Sequence, residues 1–370
     1  MTNFRRYLLI SLVIALVSAV LILIFFLPQY DHPDTQEYVS AIKKISGDES
    51  GEISPYRILK PLPILIGAFL TNFTAAENTL VIQSLFFYFL SVGLIYFLVW
   101  TIYNNEKQAF LGAILFATAY PVLAYGIANL TDMSGWFFFL LSALLSVKFI
   151  KNPASKTVIL AGLIAGFGML FKESVAAALI FFVSLMIIAF HYSFKEKIKY
   201  IFIFGSTFLI FPLINSIIIY NLFSYSYFNE FLYIGVGSEL SKGSFFMVSP
   251  LRILIETGRV FLFGWIFVLL GIWKEFIVKN KERIKILISF LPCSLSFFFW
   301  IYPHNRMMYI AAPLLILLGS FGLIENFKNK KNKVIFEFGL ISVYIISNYF
   351  ILDFLLKYGA IIQPPGTLFG

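Results

Sequence analysis

Twenty-one consecutive residues, LLISLVIALVSAVLILIFFLP from Leu8 to Pro28, carry no ionisable side chain. As a helix rising 1.5 Å per residue, such a run matches the thickness of a bilayer's hydrocarbon core. Taking the first as 7–28, runs of comparable length recur at about 79–103, 108–126, 133–150, 157–171, 174–192, 200–222, 259–278, 285–302, 307–324 and 334–356. In a chain of 370 residues that is 60% hydrophobic and 13% charged, this leaves too little polar surface to clothe a soluble core. The expectation is an all-α polytopic membrane protein of about eleven transmembrane helices, a single integral domain over 1–370. The first run follows Arg5 and Arg6 but is too long for a signal peptide's apolar region, and FFLPQY after it offers no small-residue cleavage site, so it reads as a retained span. Cys293 stands alone inside an apolar run, which gives neither a disulfide framework nor a thiolate metal site.

The charges between the runs set an orientation. Eleven spans place the loops alternately on two sides. The N-terminal side collects 18 Lys and Arg against six acids, in short islands such as KFIKNPASK and NFKNKKNK. The opposite side holds the remaining 10 basic and 13 acidic residues. Basic loops stay cytoplasmic, so the N-terminus is expected inside and the acidic loops outside. The net charge of +9 is then a topology signal suited to an anionic inner leaflet, and no nucleic-acid partner is needed to explain it.

Everything with chemical character falls on the expected outer side. A first loop at 29–78 carries YDHPDTQEY, and a second long loop spans 223–258; GIANLTD, KES and YPHNR are shorter. In DTQEYVSAIKKISG the spacing predicts a helix on the membrane surface, with Val39, Ile42 and Ile45 against lipid and Lys43 and Lys44 toward headgroups. Asp34, Glu37 and Tyr38 share a face of it. Asp34 with Glu37 also reads as a capping box, with Gly47 as terminator. SPYRILKPLPILIGAF brings Arg57 and Lys60 to a short, proline-broken apolar stretch, where they either snorkel or hold a lipid phosphate. The middle of nearly every run lacks ionisable groups, whereas ion-coupled transporters usually place charged or strongly polar groups there. That pattern favours a site at the outer interface over a translocation path.

The order of these motifs resembles the GT-C superfamily of integral membrane glycosyltransferases, whose members include protein O-mannosyltransferases and the aminoarabinose transferases of lipid A. The matching residues are Asp34 and Tyr38 in DTQEY, Lys60 and Pro61 in KPLP, Thr131 and Asp132 in NLTDMSGW, Lys172 and Glu173 in LFKESVA, and Arg306 with Pro313 in HNRMMYIAAP. HPD at His32–Asp34 is similar to the acidic loop of eukaryotic mannosyltransferases that use dolichyl-phosphate mannose. Thr35 stands where the family's second acid usually follows the first. Coverage is best over roughly the first 190 residues and over 303–313.

The resemblance implies a polyprenyl-phosphate-linked sugar as donor and a glycan, lipid or protein as acceptor, with membrane lipids around both. It implies Asp34 as catalytic base and Lys60 as a contact for the donor phosphate. Arg57, Arg306 and Lys172 are the other cations on the expected side, while Asp31, Glu37, Tyr38, Asp132, Glu173 and His304 are supporting or substrate-binding candidates. Ordinary roles stand beside these: Asp132 as a helix cap with Thr131, Lys172–Glu173 as a polar turn, His304 and Arg306 as interfacial anchors. Some members use a divalent metal, for which Asp31, His32, Asp34 and His304 are the available side chains. Two histidines so far apart form no metal signature, so no cofactor is expected. The rival readings are a transporter or flippase of lipid-linked sugar or polymer, and a non-catalytic assembly subunit. A prokaryotic plasma membrane is the expected location.

Overall fold

The computed structural model describes residues 3–26, 33–128, 130–189, 191–226, 250–296, 306, 309–328 and 333–357, and every regular element in them is helical. The helices are α1 (Asn3–Phe25), α2 (Pro33–Ile45), α3 (Pro55–Ile58), α4 (Pro61–Leu70), α5 (Ala76–Tyr103), α6 (Glu106–Ala117), α7 (Asp132–Lys151) and α8 (Ser155–Met169). They continue with α9 (Ala177–Ile188), α10 (Phe194–Phe223), α11 (Pro250–Phe261), α12 (Gly264–Val278), α13 (Lys281–Leu295), α14 (Ala312–Phe327) and α15 (Lys333–Lys357).

Six of these, counting α14 with the short turn Tyr309–Ala311 before it, are long and apolar enough to cross a bilayer; α11 with α12 makes a seventh if that bent pair is one span. The multi-pass, helical class is therefore as expected, while the count of eleven is not reproduced among the described residues. The differences have local causes. The run at 108–126 ends as a helix at Ala117, and Val122–Gly126 winds as a π-helix. The runs at 157–171 and 174–192 become helices of 15 and 12 residues, separated by Leu170–Lys172 and the 3-10 turn Glu173–Ala176. Twelve residues of helix rise only about 18 Å, short of a 30 Å core. The expected span at 259–278 begins at Gly264 instead, because the chain turns 88° between Phe261 and Gly264, with Leu262 at φ 43. The second long loop is accordingly part helix, since α11 begins within it at Pro250.

Leu, Ile and Phe side chains on α1, α10 and α15 point outward, among them Leu16, Phe202, Ile217, Phe338 and Phe350. Such exposure is favourable when the surrounding solvent is hydrocarbon. The core is built mainly from α5, α6 and the segment that follows it, α7, α9 and α14. In the α12–α14 pair the backbones meet closely: a Cβ on Gly271 would lie 2.0 Å from the Leu318 carbonyl oxygen. Small residues permit that approach in membrane helices.

The first loop folds onto this bundle. Tyr38, Ala41 and Ile42 of α2 are fully buried against Ile64 of α4 and Leu80 of α5. The apolar face of α2, which the sequence suggests is lipid-facing, thus docks on protein, because α4 offers an apolar partner alongside; Ile45 stays exposed. Gly47 ends the helix as expected, at φ +92.

Candidate functional site

α2 begins at Pro33, so Asp34 lies inside its first turn and not at the N-cap that a capping box requires. Its carboxylate receives two guanidinium groups. Arg57 donates from Nη2 to Asp34 Oδ1 at 2.7 Å and from Nε to Glu37 Oε2 at 2.8 Å. Arg306 approaches Asp34 Oδ2 through Nη2 at 2.9 Å and donates from Nε to Asp132 Oδ2 at 2.8 Å. Lys172 Nζ lies 3.7 Å from the other oxygen of Asp132, and Lys60 Nζ lies 2.8 Å from Glu173 Oε2. The Arg57 guanidinium also covers the Tyr38 ring at 4.6 Å from its centroid. Residues from five separate stretches of sequence therefore meet at one end of the bundle.

Charge and burial are divided unevenly. The four cations are 2–9% exposed at their side chains, while Asp34 and Glu37 are 28% and 47% exposed. Among the described residues of the cluster, four cations face four carboxylates. Burying a guanidinium or ammonium without a counter-charge is strongly unfavourable, so each is held by an acid. Solvent meets the cluster chiefly on its acidic side.

Several polar side chains inside the helices hold the backbone that carries these groups. Asn215 of α10 donates to the Leu59 carbonyl next to Lys60, Gln83 of α5 donates to the Pro63 carbonyl, and Ser84 donates to the Leu130 carbonyl two residues before Asp132. Gly135 leaves room for Lys172, since a Cβ there would sit 2.8 Å from Lys172 Cβ. Sequence reasoning misses these four. An amide inside an otherwise apolar run is the available signal for Gln83 and Asn215.

Of the named candidates, Asp34, Glu37, Tyr38, Arg57, Lys60, Asp132, Lys172, Glu173 and Arg306 come together; Asp31, His32 and His304 lie outside the described residues. Asp132 does not act as a cap. Thr131 is at the N-cap position of α7 with no side-chain cap bond, and the Asp132 carboxylate turns to Arg306 and Lys172. Lys172 and Glu173 are more than a polar turn, because each finds a partner from another element.

The chain resembles one known family in sequence and one solved enzyme in structure. The family described as dolichyl-phosphate-mannose-protein mannosyltransferase matches residues 61–215, which include Asp132, Lys172 and Glu173. The oligosaccharyltransferase of Archaeoglobus fulgidus in its apo form superposes with a TM-score of 0.60 at 13% identity, over 94% of this chain and 56% of that one. The same enzyme with zinc and sulfate gives 0.61 at 14%, over 96% and 54%. As AglB with an inhibitory peptide and a dolichol-phosphate it gives 0.59 at 13%, over 99% and 57%. The chain shares its fold with this oligosaccharyltransferase. It spans little more than half the length of these solved structures, and no curated protein matches its sequence.

A zinc-bound neighbour raises the question of a metal in this chain. Among the described residues no three His, Cys, Asp or Glu side chains group to hold one. The two carboxylates best placed to share a cation, Asp34 and Asp132, are bridged by the Arg306 guanidinium. Of the side chains named for a divalent metal, Asp34 alone is described, and its two oxygens meet Arg57 and Arg306.

Proposed function

We propose that the chain is a glycosyltransferase that moves a sugar from a polyprenyl phosphate to an acceptor hydroxyl or amine, with inversion, at the extracytoplasmic face of a prokaryotic plasma membrane. In this reading the N-terminus is cytoplasmic and the Asp34 cluster faces outward. The observation that carries it is the position of Asp34, a partly exposed carboxylate between two buried arginines, within a fold shared by an enzyme solved with dolichol-phosphate.

The acceptor nucleophile attacks the anomeric carbon as the bond from that carbon to the phosphate oxygen breaks. The acceptor proton passes to Asp34, a step worth about 10²–10⁴-fold. The phosphate leaves with the bonding electrons and needs no proton. Arg57, Lys60, Lys172 and Arg306 stabilise its charge as it develops. Arg57 and Arg306 also aim the Asp34 carboxylate, and a lipid-anchored donor reaches the site already oriented. Glu37, Tyr38, Asp132 and Glu173 hold the cations in place.

The test is transfer by purified protein in lipid, with a panel of polyprenyl-phosphate sugars and cell-envelope acceptors. Wild type is expected to transfer one of them, and Asp34→Asn to fold with a normal thermal transition yet lose transfer by at least about a hundredfold. Lys60→Ala is expected to weaken donor use. Undiminished transfer by Asp34→Asn would reduce Asp34 to a structural acid and send the search for a base to Asp31 and Asp132.

A further inference from the structure

Because the cations of the site are buried and each already has an acidic partner, an anionic ligand competes with a carboxylate for them. The four carboxylates are not equally replaceable. Asp132 is 4% exposed and lies between Arg306 and Lys172. Asp34 is shared by two guanidiniums, and Glu173 is largely buried against Lys60. Glu37, nearly half exposed, meets Arg57 through the Nε edge, while the Nη2 edge stays with Asp34. Moving Glu37 into water needs a side-chain rotation and little further hydration, and it leaves the Arg57–Asp34 contact intact.

We infer that Glu37 is a placeholder for the donor's phosphate. It neutralises the Nε edge of Arg57 in the resting site and swings into solvent when the phosphate of a lipid-linked ligand takes its place. An empty site could not bury that edge of the guanidinium without some anion. Glu37 and Asp34 lie one turn apart on α2, so the exchange proceeds beside a stationary base. Glu37 is thus a positioning residue that trades donor affinity for a stable empty site. The inference rests on the polyprenyl-phosphate reading above and assigns a role within it.

The experiment measures binding of polyprenyl phosphate, without sugar, to the full chain in lipid nanodiscs. Glu37→Gln removes the competing charge at constant shape and is expected to bind at least about threefold more tightly than wild type. Glu37→Ala is expected to do the same, which guards against a folding defect peculiar to the amide. Glu77→Gln removes a charge from the nearby exposed Lys43–Glu77 pair and is expected to bind as wild type does. Inorganic phosphate, titrated separately, is expected to bind every protein more weakly than the lipid.

Affinity unchanged or weakened in both Glu37 variants overturns the placeholder while leaving glycosyl transfer standing. So does equal tightening by Glu77→Gln, which would mark a general surface-charge effect. Inorganic phosphate binding Glu37→Gln as tightly as the lipid does would also defeat the lipid-donor form of the exchange. Failure of wild type to bind polyprenyl phosphate at all would remove the donor reading and this inference together.

Discussion

At one end of the bundle Arg283 grips Glu275 with both edges of its guanidinium, at 2.6 and 2.7 Å, and lies 4.9 and 4.4 Å from the centroids of the Tyr103 and Phe321 rings, which stack on each other. At the other end Arg57 and Arg306 divide their edges among Glu37, Asp34 and Asp132. The first arrangement joins residues eight apart in sequence, covers the charge with aromatic faces and buries its acid almost completely. The second includes a pair 174 residues apart and leaves two of its acids partly in water. Both ends neutralise a buried cation, but only the second keeps charge within reach of a ligand. A buried ion pair by itself is weak evidence of function; shared carboxylates with unequal exposure are a stronger sign.

The contrast breaks most sharply at Arg283. Removing one member of a buried pair leaves the other charge uncompensated, so Arg283→Ala is expected to lower stability by roughly 3 kcal/mol. Transfer per folded molecule should be unchanged. Thermal unfolding and a transfer assay on the same preparation check this, and a selective loss of transfer would mean that the sealed end also serves chemistry.

Arg306→Lys sharpens the comparison from the other side. An ammonium keeps the charge but cannot reproduce a planar fork that meets Asp34 and Asp132 together. Stability is expected to fall by about 2 kcal/mol, and transfer by more than that loss explains. Equal transfer by the lysine variant would show that Arg306 supplies charge without geometry. The smallest effect belongs to Asn215→Leu, which removes the amide that donates to the Leu59 carbonyl. About 1 kcal/mol of stability is expected to go, with donor use weakened because Lys60 follows that carbonyl. A fall in stability alone would make Asn215 an ordinary packing residue.

Much of this architecture is legible in the order of residues alone. The helical membrane class follows from the apolar runs, and the candidate acids and cations converge because all of them sit where runs begin or end on one side. Hydropathy does not reveal every place where an apolar run breaks, so the π-helix at Val122–Gly126 and the bend at Leu262 leave no mark in it. Nor does periodicity say what an apolar helical face will meet, which is why Ile42 of α2 reads as lipid-facing although it packs on α4. Asp132 behaves the same way: beside Thr131 an acid at a helix start reads as a cap, and only Arg306, far along the chain, gives it another partner.

That separation also has a consequence in time. A ribosome adding about 5–20 residues per second takes roughly 10 to 35 s to travel from Asp132 to Arg306. Through that interval Asp34 and Asp132 exist without the guanidinium that bridges them. The assembled cluster therefore belongs to the end of biogenesis, when the segment leading into α14 emerges and joins helices made much earlier. A nascent chain halted after α13 would carry most of the bundle and every described residue of the cluster except Arg306.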